Sequence, residues 1–277
     1  MMLTLASTRE LNNGVEIPVL GLGTLHATGD PLHHAILWAL DAGYRHLDTA
    51  KAYGNEREVG LAVQRSGLPR EEIFLTTKLW NEDHGYAHTL TALDRSLKAL
   101  NVDFVDLYLV HWPVAGRRVE TWKAMERILA EGKARAIGVS NFTIRHLEEL
   151  MAATDIVPAV NQIEFTPYLY QRELQAYCQS KGIVIEAWSP LTRAIKLQDP
   201  PLVAIATRYR RSPAQILLRW GLQQNAVVIP KSVHKERILE NAHIFDFHLA
   251  EADMERLNGL HEGLRTSGWD PESDRFK

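Results

Sequence analysis

Hydrophobic positions along this chain fall into two alternating patterns. Short apolar runs recur at Val19–Leu22, Arg45–Leu47, Ile73–Thr77, Val105–Val110, Ala134–Val139, Ala159–Ile163, Ile183–Ala187 and Val227–Ile229. Runs of this length, bounded by polar residues, read as strands buried on both faces. Between them, apolar residues return at helical spacing, as with Trp122, Met125, Ile128 and Leu129 before Gly132, which predicts amphipathic helices closed by glycine. Asp30-Pro31 and Ser212-Pro213 each offer an N-cap followed by proline at the first helical position, and Gln215 completes a capping box with Ser212. Two helical stretches, Leu202–Tyr209 and Pro213–Gln224, separate the last two runs, one more than strict alternation needs. Ahead of the first run, Leu3–Leu5 and Val15–Ile17 flank Asn12-Asn13-Gly14, which predicts a hairpin.

Eight strands, each followed by a helix through a right-handed crossover, close most readily into a barrel. The predicted fold is α/β: a (β/α)8 TIM barrel with an N-terminal β-hairpin and extra helices, as a single domain over residues 1–277. A doubly wound sheet is the competitor, but Gly21-Leu22-Gly23 is followed by His26 where its dinucleotide fingerprint needs a third glycine. The tail Arg265–Lys277 is polar and is expected to wrap the surface, with Trp269 within reach of the barrel mouth.

Composition narrows the partners. The 277 residues are 45% hydrophobic and carry a net charge of −3 with signs interspersed, so a basic stripe for nucleic acid is missing. Cys178 is the single cysteine, which excludes an internal disulfide and agrees with a reducing compartment. Met1–Leu5 is soon interrupted by Ser7, Arg9 and Glu10, and nowhere does an apolar run reach the length of about 18 residues that marks a membrane span. The expectation is a cytoplasmic monomer acting on a small molecule. No metal site is expected: His33 and His34 are adjacent and face apart on a helix, and His146-Leu147-Glu148-Glu149-Leu150 lacks the second histidine of a zinc motif.

Four residues carry candidate chemistry. Asp48, Lys78 and His111 stand just past the ends of three successive strand runs, and Tyr53 follows the first by a short loop. The C-terminal ends of barrel strands are where such folds place chemistry. A free phenol titrates near pH ~10; a neighbouring ammonium lowers that value, and a carboxylate holds the ammonium in place. Lys78 and Asp48 suit those two roles, while His111 can orient a substrate oxygen. Singly, each has a plainer role available: a turn cap, a solvated strand end, a half-buried aromatic, a loop histidine. All four at one end of adjacent strands make the joint reading the better one.

With these residues in their settings, the chain resembles the aldo-keto reductase superfamily. The stretches that carry the resemblance are Gly43–Gly60, Thr77–Asn81, Asp106–Pro113, Lys133–Phe142 and Ile229–Asn241, in family order over nearly the whole length. Trp188-Ser189-Pro190-Leu191 and the compact length look most like the bacterial branch of 2,5-diketo-D-gluconate reductases and small-aldehyde reductases. The resemblance implies NADPH-dependent reduction of aldehydes and ketones, including small aldehydes, α-dicarbonyls and keto-sugars, with Tyr53 as general acid tuned by Lys78 and Asp48. His111 would hold the carbonyl. Ser140, Asn141 and Gln162 would bond the nicotinamide carboxamide, Trp188 would stack on its ring, and Ser189 and Leu191 would line the pyrophosphate path. Lys231, Ser232 and Arg237 would hold the 2′-phosphate, with Glu240 and Asn241 at the adenine. Ser140-Asn141 could equally start a helix, Trp188 could be core, and Lys231 and Arg237 could be solvated charge. Trp80 and Trp112 either line the substrate pocket with His111 or pack its rim. Thr192 stands where the family often has glycine, which bears on how that loop folds.

Two other functions fit parts of the pattern. A Schiff-base aldolase would use Lys78 as nucleophile, but a paired Asp48 keeps an amine protonated. A cofactor-binding regulatory subunit, like the potassium-channel β-subunits of the superfamily, would share the barrel, yet no docking extension is evident.

Overall fold

The structure, a computed structural model, describes residues 3–273. An antiparallel hairpin comes first: β1 (Thr8–Glu10) pairs with β2 (Glu16–Pro18), Arg9 opposite Ile17. The first hairpin strand therefore lies later than Leu3–Leu5. Leu3 and Leu5 instead pack as side chains against the outer core, because the ladder is set by the turn at Gly14, whose φ of 81° and N–H to the Leu11 carbonyl at 2.9 Å leave only the residues flanking it to pair.

Eight parallel strands follow: β3 (Leu22–Gly23), β4 (His46–Asp48), β5 (Phe74–Leu79), β6 (Val105–Val110), β7 (Ala134–Ser140), β8 (Val160–Glu164), β9 (Val184–Trp188) and β10 (Val227–Val228). Each neighbours the next in sequence order. Bridges from Leu20 to Val228 and from Gly23 to Lys231 join the first and last strands, and Gly21 N–H donates to the Val228 carbonyl at 2.9 Å. The predicted (β/α)8 barrel is the observed fold.

The helices between the strands are α1 (Gly29–Asp41), α2 (Glu56–Arg65), α3 (Tyr86–Leu100), α4 (Arg118–Ala130), α5 (Ile144–Met151) and α6 (Arg172–Ser180). Both α7 (Pro200–Tyr209) and α8 (Pro213–Gln223) precede β10, and α9 (Lys235–Ala242) and α10 (Glu251–Asn258) follow it. The capping box at Ser212 and Gln215 forms as predicted. At α1 the prediction slips: the helix starts at Gly29 with Thr28 as its cap, so Asp30 lies in the first turn. Glu58 of α2 reaches across to accept the Gly29 N–H at 2.9 Å, a cap from another helix that local pattern does not announce. No helix among the described residues is long and apolar enough to cross a membrane.

Strand periodicity sorts the barrel wall. In β6, Val105, Tyr108 and Val110 join the large core under the helices, whereas Leu107 and Leu109 join a separate cluster with Phe74, Ala136, Val160 and Val227. That second cluster is the lower barrel interior, and Leu11 and Ile17 of the hairpin close its floor. Two to four residues further along β5 to β8, polar residues take over: Lys78, His111, Ser140 and Gln162.

Candidate active site

Asp48 is the last residue of β4 and Lys78 the penultimate residue of β5, so both belong to the strands, while His111 directly follows β6. The ladder runs one or two residues beyond the apolar runs because backbone pairing continues where hydrophobicity stops: Asp48 pairs with Thr76, and Lys78 with Leu109. Tyr53 ends a one-turn 3-10 segment, Lys51–Tyr53, that turns back at Gly54 with φ 67°. Asn55 staples this loop to its neighbours, donating to the carbonyls of Thr24 and Ala27 at 3.0 and 2.9 Å and accepting from Thr49 Oγ1 at 2.7 Å.

The four candidate residues converge. Lys78 Nζ donates to Asp48 Oδ1 at 2.6 Å, to the Thr49 carbonyl at 2.9 Å and to the Tyr53 hydroxyl at 3.3 Å. Both members of the ion pair are buried. The His111 ring meets Tyr53 edge-on at 5.8 Å between centroids and Trp80 at 5.2 Å.

Burial governs the protonation states. It would lower Lys78, but Asp48 and Tyr53 outweigh it and hold the ammonium above its ordinary value. Burial raises the Tyr53 phenol, and the opposing pull of Lys78 does not overturn that rise. The expected downward pull of Lys78 is present, but desolvation exceeds it and the phenol ends above its ordinary value. Burial, with Lys78 and His84 adding to it, pushes His111 well below the usual imidazole range, which makes it neutral near pH 7 and able to donate or accept.

Asp48, Tyr53 and His111 open onto a cavity of about 740 Å³, with Lys78 buried behind them. Ser140, Asn141, Gln162, Trp188, Ser189, Leu191 and Lys231 line it, as do Trp80 and Trp112. Asn141, with φ 63°, uses its amide to bind the wall together: it donates to the His111 carbonyl and to Ser140 Oγ at 3.0 Å each and accepts from Trp188 Nε1 at 3.0 Å. The helix-start alternative for Ser140-Asn141 is displaced, since Thr143 caps α5. Gln162 spends its Nε2 on Asp48 and Glu186.

Four of the expected cofactor residues do not line the cavity: Ser232, Arg237, Glu240 and Asn241 lie in the loop after β10 and in α9. The Ser232 hydroxyl is engaged locally, accepting from His234 N–H at 3.1 Å. Asn241 is buried, and Arg237 is exposed on α9.

Other lining residues had no role at the site assigned from the sequence. Gly23 through His26, Pro190, Arg193, Ile229, Pro230 and Ser267 also line the cavity. Trp269 closes one side against Trp112 at 5.1 Å and Trp80 at 6.4 Å, so the tail enters the mouth as well as covering the surface. Buried Glu164 anchors it by accepting from Thr266 N–H at 2.7 Å, and Glu272 pairs with Arg145. The tail's last four residues lie outside the described residues. In the loop after β9, Ser189, Thr192, Arg193 and Ala194 all take left-handed φ of 48–65°. Thr192 thus occupies a conformation that favours glycine, held by its hydroxyl, which donates to the Leu191 carbonyl at 2.7 Å and accepts from Lys196 N–H at 3.2 Å.

The barrel thus carries an ion-paired lysine beside a tyrosine at the mouth of a tryptophan-lined cavity. Residues 19–262 match the model of the Aldo/keto reductase family, and the chain belongs to that family. It is 49% identical over 271 residues to an uncharacterized oxidoreductase of Bacillus subtilis (strain 168), with 96% of each chain covered. It is 47% identical to the glyoxal reductase of the same organism, again covering 96% of each, and 48% identical to morphine 6-dehydrogenase of Pseudomonas putida, covering 94% of this chain and 93% of that one. Among solved structures, a Bombyx mori aldo-keto reductase in complex with NADP superposes with a TM-score of 0.90 at 38% identity, 95% of each chain covered.

Proposed function

We propose that this protein reduces small aldehydes and α-dicarbonyls to alcohols with NADPH, Tyr53 serving as the general acid. The observation that carries this reading is the line Asp48–Lys78–Tyr53, buried at its base and open at the phenol to the cavity beside His111. A phenol held above its ordinary value by burial stays protonated at neutral pH, the state a proton donor needs. As its proton moves to the carbonyl oxygen, negative charge develops next to an ammonium already in place, which stabilises the transition state without reorganisation. Neutral His111 donates a hydrogen bond to the same oxygen and orients it.

The cavity's donor set fits a dinucleotide. Trp188 offers a ring face, Ser140, Asn141 and the Gln162 carbonyl offer polar contacts, and Lys231 supplies a cation at the far rim, with Ser232 and Arg237 next along the chain. NADPH, when bound, supplies the hydride that reaches the carbonyl carbon. Glu240 and Asn241, beyond Arg237 on α9, are assigned to the adenine end. The raised Lys78 ammonium speaks against an aldolase, whose nucleophile is a free amine.

Relatives of nearly equal identity are named for glyoxal and for morphine, so identity at this level does not choose the substrate. The wall of Trp80, Trp112 and Trp269 supports small or aromatic carbonyl bodies, which hydrophobic surfaces accept without sharp selection. Tyr53→Phe should lower carbonyl reduction by ~10²–10⁴-fold while NADPH still quenches tryptophan fluorescence. Turnover within a few-fold of wild type would remove Tyr53 from the proton step.

A further inference from the structure

One buried group beneath the site has no part in the mechanism above. Glu186, in the middle of β9, is wholly enclosed. Its Oε2 accepts from Gln162 Nε2 at 2.7 Å, and the same nitrogen donates to Asp48 Oδ2 at 2.8 Å. The other Asp48 oxygen takes the Lys78 ammonium, which reaches the Tyr53 hydroxyl. Four polar contacts thus run unbroken from Glu186 to the phenol. On its far side, Glu186 Oε1 lies 3.4 Å from His46 Nε2. Room for that imidazole is made by Gly21, where a Cβ would stand 2.7 Å from His46 Nδ1.

Charge balance decides what this arrangement does. Lys78 and Asp48 already neutralise each other, so an ionised Glu186 would leave the enclosure with an uncompensated negative charge. The groups facing it are His46 and Asp48 from β4, Lys78 from β5, Gln162 from β8 and Tyr53 from the loop. Its β10 neighbours, Val227 and Val228, carry no titratable group. Burial and Asp48 push Glu186 up to about 8 against the weaker pull of Gln162 and Lys78, and burial first among causes keeps His46 neutral.

We propose that Glu186 is a positioning residue for proton transfer at Tyr53: as a neutral acid it fixes Gln162 on Asp48, and once ionised it adds a negative charge that holds the proton on the phenol. This rests on Tyr53 being the proton donor. Carbonyl reduction starts from a phenol that is already protonated and gains nothing from that added charge. Alcohol oxidation uses the phenolate as base and is opposed by it.

Glu186→Gln mimics the neutral acid, keeping an acceptor for Gln162 and a donor toward His46, but cannot ionise. In the variant, the rising limb of kcat/KM against pH for alcohol oxidation with NADP+ should move to lower pH by about one unit, a roughly tenfold gain at a fixed pH on the limb. Superimposable wild-type and variant profiles, with Tyr53→Phe inactive, would overturn the role of Glu186 alone. An active Tyr53→Phe would overturn the general-acid reading instead. Infrared difference spectra of the wild-type protein give a second, activity-free readout: a protonated-carboxyl stretch should be present at neutral pH and disappear as pH passes about 8. A wild-type protein without such a titrating band overturns the proposal even if the variant does not fold.

Discussion

The lower and upper halves of the barrel interior come from the same strands and obey opposite rules. Below, Phe74, Leu107, Leu109, Ala136, Val160 and Val227 form an apolar cluster resting on the hairpin. Above, two to four residues further along β5 to β8, stand Lys78, His111, Ser140 and Gln162 around Asp48 and Glu186. Apolar packing is non-directional and tolerates small errors of position. A buried polar tier tolerates none, because each unpaired charge or donor costs its full desolvation. The lower half supplies stability, and the upper half draws on it to keep chemistry poised.

The sharpest break of that contrast is Lys78→Met. It leaves Asp48 buried without its cation, which costs about 3–5 kcal/mol, and it removes the charge beside the phenol. Denaturant unfolding should show the loss, and single-turnover reduction should fall at least ~10²-fold. Adding Asp48→Asn should recover much of the stability and none of the activity. Recovery of both would mean that the ion pair serves the fold and not the reaction.

Leu107→Ala tests the lower half. It should cost about 2–5 kcal/mol by opening a cavity, yet below its unfolding temperature kcat should stay within a few-fold of wild type. A selective collapse of kcat would show that the two tiers are coupled more tightly than their packing indicates.

Protonation gives a subtler test. His46, His84 and His146 are held down at about 3, about 4 and about 4, in each case chiefly by burial. The unfolded chain binds protons on these groups near pH ~6.5, while the native protein does not, so unfolding releases no proton and takes several up. Stability is then fully present above about pH 6.5 and declines as pH falls toward 4. Glu186 has the opposite sign: its raised value makes stability decline as pH rises from the ordinary carboxyl range toward about 8. Unfolding free energy measured against pH should therefore rise on the acid side and fall between about pH 6.5 and about 8, and Glu186→Gln should remove that fall. A flat profile between pH 4 and 6.5 would contradict the buried, neutral histidines.

The smallest effect belongs to Thr192→Gly, outside both tiers. The left-handed φ costs a non-glycine residue about 1–2 kcal/mol, and glycine's greater freedom in the unfolded chain offsets about 0.5–1 of it. A net gain of up to about 1.5 kcal/mol in thermal unfolding is expected, with the loop over the cavity more readily cleaved by protease. Clear destabilisation would mean that the threonine hydroxyl bonds outweigh the strain.

Much of this molecule was legible in the chain. Alternating apolar runs and helical periods determined the eight strands, the spare helix before β10 and the lower core, because burial of hydrophobic surface is written residue by residue. The polar residues at strand ends determined the tetrad, since strand period and direction deliver them to one mouth. A carboxylate inside the apolar run Ile183–Ala187 was the readable signal for Glu186. What only the tertiary structure decided are contacts between residues far apart in sequence. Gln162 meets Asp48 across 114 positions, and Thr266 meets Glu164 across 102. The seam from Leu20 to Val228, the Glu58 cap on α1 and the placement of Trp269 at the mouth are of the same kind. Local pattern encodes which face a residue turns; closure of the barrel decides which residue it turns toward. The protonation states follow from that closure, because desolvation depends on everything that surrounds a group, and only the folded chain supplies the surroundings.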